Sequence, residues 1–99
     1  MPHTYLPIER LTVADRDLAL ANGTLAVSRD DPEPGMTGLR AWHFGVTLAQ
    51  ADWSLTPEAY DVVLVTPTGT HTGQAILNRT DGTYLRFIGT GPLAPWPGP

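Results

Sequence analysis

The 99 residues of this chain contain no cysteine and no lysine. The first absence removes disulfides, iron–sulfur clusters, thiolate zinc sites and cysteine nucleophiles, and argues against the stapled scaffolds of small secreted proteins. The second removes Schiff-base chemistry and the P-loop lysine. All six basic residues are arginines, set against ten acidic residues for a net charge of −4. Such a chain is poorly suited to sequence-independent nucleic-acid binding, which needs many cations against phosphates. No apolar run approaches the length of about 20 residues that crosses a bilayer. The opening "MPHTYLPIER" also lacks a basic n-region and an apolar h-region. The expectation is a cytoplasmic protein with neither nucleic acid nor membrane as partner, and with no cofactor or metal. A sustained 3.6-residue period is missing as well, which argues against helices.

What is present is turn chemistry. Ten glycines and ten prolines punctuate short β-rich runs, the pattern of a sandwich or small barrel. A single domain of this length buries roughly 60–70% of its unfolded surface and folds without staples. The clearest strand runs from Leu39 to Ala49. Its Trp42, Phe44, Val46 and Leu48 alternate with Ala41, His43, Gly45 and Thr47, which sends one large apolar set to one face. Gly45 marks a bend or a close backbone approach. The fold expected is all-β: a small antiparallel barrel or sandwich of about six to seven strands. It occupies residues 1–90, ends in a meander, and is followed by a proline-rich tail over 91–99.

Three turns fix the expected registers. In "LALANGTLAV" a two-residue Asn22-Gly23 turn of type I′ pairs Leu20 with Leu25 and Leu18 with Val27. In "AILNRTDGTYLRF" a three-residue Thr80-Asp81-Gly82 loop, with Gly82 left-handed, sets Leu77 opposite Leu85 and Ala75 opposite Phe87. The stretch "TPTGTHTG" resembles a phosphate cradle, but no lysine follows it and no helix pattern opens after Gly73. It matches the Gly82 turn position for position, and so sets Val63 opposite Gly73 and Val65 opposite His71. "SLTPEAYD" suggests one helical turn at Thr56-Pro57-Glu58. Asp15-Arg16-Asp17 reads as a charged turn. Asp30, Asp31 and Glu33 offer hard oxygen ligands without EF-hand spacing, and read as a solvated loop.

These registers leave a mixed face on the meander, carrying Tyr60, Val62, Leu64, Gln74, Ile76, Tyr84, Arg86 and Ile88. Aromatics, isoleucines and an arginine between apolar neighbours suit the core of an interface. The tail "GTGPLAPWPGP" is too rich in proline for ladder or helix, and Trp96 within it is expected to dock on its own body or on a neighbour. The function expected is therefore a non-enzymatic binding or assembly module that associates with itself or with another protein. The alternative is a small enzyme or a barrel for a small apolar ligand. Its cavity would be lined by Trp42, Phe44 and Phe87, with His43 or His71 at the mouth as the acid–base group. His3, the third histidine, lies near the terminus, and no HxH or HExxH spacing joins the three.

Overall fold

The computed structural model describes residues 3–29 and 40–98, the side chains of His3 and Arg29 excepted, and these residues contain strands and no helix. The strands are β1 (His3–Pro7), β2 (Arg10–Val13), β3 (Arg16–Leu18), β4 (Leu20–Arg29), β5 (Arg40–Leu48), β6 (Ala59–Thr66), β7 (Gly69–Thr80) and β8 (Tyr84–Gly89). They form one antiparallel sheet in the order β1-β4-β5-β8-β7-β6-β2-β3, curled into a half-barrel. The chain itself joins the two ends of that order. Only Ile8 and Glu9 separate β1 from β2, and their consecutive amides donate to opposite sides, Ile8 to Gly23 O at 2.9 Å and Glu9 to Val65 O at 2.7 Å. In the same way Ala19 alone separates β3 from β4. Two long bent strands are thus each divided in two. This is why eight segments appear where about six to seven were expected.

Alternation places the core. Trp42, Phe44, Val46 and Leu48 of β5 all point inward, and the rings of Phe44 and Phe87 stack at 4.7 Å between centroids. Both rings are fully buried, each stabilising the fold by about 1.5–3 kcal/mol relative to exposure.

The Asn22-Gly23 hairpin does not form. Both residues lie within β4, where Asn22 faces Thr47 and Gly23 faces Val46. The register shifts between Leu20 and Asn22, a bulge that lets Leu20 and Leu25, an odd number of residues apart, both meet the core. Gly23 has an ordinary φ and is needed for space. A Cβ there would stand 2.7 Å from Val46 Cγ1 and 3.2 Å from Ile8 Cβ. The two-residue turn of this hairpin lies at Ala14-Asp15, where φ is 49° and 66° and Val13 pairs with Arg16, the geometry of type I′.

The "TPTGTHTG" stretch is a hairpin tip, but its loop holds two residues rather than three. Thr66 pairs with Gly69, so Leu64 faces His71 and Val62 faces Gly73. This one-residue slip reverses the expected faces of β6: Val62 and Leu64 are buried, while Val63 and Val65 are only partly covered. At the next turn Gly82 is left-handed as expected, with φ 93°. However, Thr80 pairs with Leu85 and Leu77 with Phe87. A register shift between Leu77 and Arg79 offsets the even loop, so Ala75, Leu77, Leu85 and Phe87 still share the inner face.

No helical turn forms at Thr56-Pro57-Glu58. The chain bends there and enters β6 at Ala59. Thr56 Oγ1 bonds the Glu58 carboxylate, and the Tyr60 hydroxyl donates to Thr56 O at 2.9 Å. Asp15 sits in the observed turn, but Arg16 and Asp17 belong to β3. The acidic stretch at Asp30, Asp31 and Glu33 lies outside the described residues. The tail does contribute to the ladder: Ala94, which retains its amide between prolines, exchanges two 2.9 Å bonds with Thr72, and Leu93 is buried.

Candidate binding face and cleft

The registers align one row of outward side chains across the sheet. Tyr5 pairs with Ala26, Ala26 with His43, His43 with Ile88, Ile88 with Ile76 and Ile76 with Ala59. At about 4.8 Å per strand the row is about 24 Å long. Among the described residues five large hydrophobic side chains are exposed. Three of them, Tyr5, Ile76 and Ile88, lie in this row, and a fourth, Tyr84, lies beside it on the same face. Trp53 is the fifth, and it packs over the Gly82 turn instead.

Tyr84 is held by the turn before it. The Asp81 carboxylate accepts from the amides of Tyr84 at 2.8 Å and Thr83 at 3.0 Å, and these donors hold its pKa below the ordinary carboxylate value. The tyrosine ring then crosses to β5, where a Cβ on Gly45 would meet its hydroxyl oxygen. The close approach expected at Gly45 is therefore a side chain lying over it, an aromatic covering the gap that a glycine leaves in a strand. Arg86 and Arg79 face each other across β8 and β7 on one side of the row. Gln74 and Asp61 form a pair on the other side.

Of the residues expected on the mixed face, Gln74, Ile76, Tyr84, Arg86 and Ile88 are brought together there, all exposed. Tyr60, Val62 and Leu64 are not. Val62 and Leu64 are buried, and Tyr60 packs on the core with its ring edge-on to Phe87. The reason is the two-residue loop at Pro67-Thr68. Tyr5 and Ala26 escaped the sequence reading because nothing in "HTYLP" shows which strand its tyrosine will face.

The two candidate histidines point to opposite sides of the sheet. His71 faces inward and is 1% exposed. Its Nδ1 lies 2.7 Å from Pro95 O. That oxygen can only accept, so Nδ1 carries the hydrogen, and in the neutral ring Nε2 accepts from the Thr68 hydroxyl at 2.8 Å. His71 ties the hairpin tip to the tail. His43 faces outward, in the middle of the apolar row and at the edge of a cleft.

That cleft, of about 530 Å³, opens where β5 and β8 meet the returning tail. Its apolar walls include Trp42, Ile88, Leu93 and Trp96, and its cationic groups are Arg40 and Arg86. Trp42 is fixed in place. Its indole Nε1 donates to Gly91 O at 2.8 Å, and the ring lies close over Gly73 and Gly89, where an added Cβ would clash with it. Trp96 is partly buried against the core, as its docking required, and the Arg40 guanidinium sits 5.3 Å from its ring centroid, within cation–π range. Arg40 and the docking of Trp96 beside it were not legible, because neither strand end nor tail announces its neighbour.

The chain matches no family model, no curated protein and no solved structure. Among the described residues no group of three or more His, Asp or Glu side chains is placed to hold a metal ion, and no helix is long and apolar enough to cross a membrane.

Proposed function

We propose that this protein is a non-enzymatic binding and assembly module that self-associates through the outer face of β5, β8 and β7. The observation that carries this reading is the row from Tyr5 to Ile76, which gathers most of the exposed large hydrophobic side chains on one side of one sheet. Single exposed apolar residues need no explanation, but an aligned set rimmed by polar groups does. A second copy is favoured as the occupant because the rims are complementary. A two-fold axis lying along the row sets the arginine side of one copy, Arg79 and Arg86, over the Gln74 and Asp61 side of the other. The pairing also relieves Arg79 and Arg86, like charges directly opposite each other, an arrangement that is unfavourable in an isolated sheet.

A face this narrow falls at or below the low end of stable interfaces, which bury about 800 Å² per partner. The association is therefore concentration-dependent. Sedimentation equilibrium should show a mass rising from one chain towards two as concentration increases. Ile76→Glu, at a side chain 42% exposed, should hold the protein at one chain while leaving its thermal unfolding unchanged. A strict monomer at all concentrations, or a dimer indifferent to Ile76→Glu, refutes the reading.

A further inference from the structure

We infer that the cleft at the tail is a binding site for a small anion carried on a flat apolar body, an aryl carboxylate or aryl phosphate. Three features on different elements converge on this class. The first is charge: in a chain of net charge −4, the cleft is lined by Arg40 and Arg86 and, among the described residues, by no carboxylate. Arg10 and Arg16, by contrast, are engaged by Asp17 and Asp52, and the two cleft arginines form no ion pair with a described residue. Guanidinium groups recognise carboxylate and phosphate through paired hydrogen bonds.

The second feature is shape. The walls are indole and aliphatic surfaces, and a volume of about 530 Å³ falls within the range of small-molecule sites. The third is rigidity. Trp42 lies close over two glycines and is bonded to Gly91, while Arg40 is already stacked on Trp96. A wall set before binding loses little freedom when the ligand arrives. A neutral apolar ligand would use the walls but offer the two guanidiniums no anionic acceptor.

The cleft shares Ile88, His43 and Arg86 with the proposed contact with a second copy. The test therefore uses the full chain carrying Ile76→Glu, a substitution outside the cleft that removes self-association if that reading holds. Naphthoate, naphthyl phosphate and the neutral isostere naphthamide are titrated by calorimetry. One or both anions should bind at least about tenfold more tightly than the amide, and Arg40→Gln and Arg86→Gln should each weaken that binding about tenfold. Arg10→Gln, remote from the cleft, should leave it unchanged. The preferred anion distinguishes carboxylate from phosphate. Equal affinity for anion and amide, failure of all three to bind, or anion binding indifferent to both arginine substitutions overturns the inference, whatever the sedimentation result.

Discussion

Gly89→Ala tests whether Trp42 is held as tightly as the structure shows. An ideal Cβ at Gly89 falls 2.2 Å from Trp42 Cε2 and 2.4 Å from Nε1, while an ordinary contact is about 3.5–4.0 Å. The indole would have to retreat by more than an ångström. The same ring also lies over Gly73, where an ideal Cβ would fall 2.8 Å from Cζ2, and retreat breaks the 2.8 Å bond to Gly91 O. Overpacking of this kind costs about 1–3 kcal/mol and the lost hydrogen bond about 1 kcal/mol. A total of about 2–4 kcal/mol lowers the Tm of a domain this size by about 10–25 °C. Circular dichroism in the far and near ultraviolet follows the unfolding and the indole environment together. In a Trp42→Leu background the clash partner is gone, so adding Gly89→Ala should cost less than about 1 kcal/mol, a non-additivity that identifies the contact. If Gly89→Ala melts within about 3 °C of the wild type, or if the two substitutions are additive, the indole is not pinned and the rigid-wall argument for the cleft fails.

Two further outcomes follow from the polar contacts. His71→Ala removes the bonds to Pro95 O and Thr68 and opens a void at a buried site. It should destabilise the fold by about 2–4 kcal/mol and speed proteolysis of the tail; unchanged proteolysis would show that the tail is held without His71, by Leu93, Trp96 and the Ala94–Thr72 bonds. Asp52 is held below its ordinary pKa by the Ser54 hydroxyl and amide and then by Arg16. Because the folded pKa is depressed, its stabilisation is complete above about pH 4 and is lost as pH falls through and below that value. Urea midpoints measured from pH 7 to pH 3 should therefore drop less steeply in Asp52→Asn, and identical slopes would contradict the assignment.

The strands were more legible than their pairing. Trp42, Phe44, Val46 and Leu48 alternate so regularly that the inner face of β5 could be read directly, and the left-handed Gly82 was legible from Asp81-Gly82. Parity breaks were not. In "LALANGTLAV" the apolar set changes phase between Leu20 and Leu25, which a hairpin and a bulge explain equally well, and Asn-Gly favours the hairpin locally. The decision comes from β1 and β5, which flank β4 on both sides, β5 pairing along its full length. At Pro67-Thr68 the error had a different origin. Gly69 is left-handed, with φ 126°, as the longer loop required, but both faces of Val62–Val65 are apolar, so the sequence carried no penalty for a slip. The exposed face survived only in part for this reason. Its β7 and β8 members were placed by their own alternation, whereas Tyr60, Val62 and Leu64 depended on the misread loop. The cleft lay beyond reach, since it exists only where the tail returns to the barrel.

The neighbouring amides of Ile8 and Glu9 record different moments in the life of the chain. Ile8 bonds within the first hairpin, a contact between residues close in sequence that can form early. Glu9 bonds Val65, so its hydrogen bond waits until most of the polypeptide has been gathered and the entropy of that large loop has been spent. Such distant closures make all-β chains slow to fold. In pulse-labelled hydrogen exchange during refolding, the delay between protection at these two positions would measure how long the two ends of the sheet stay apart.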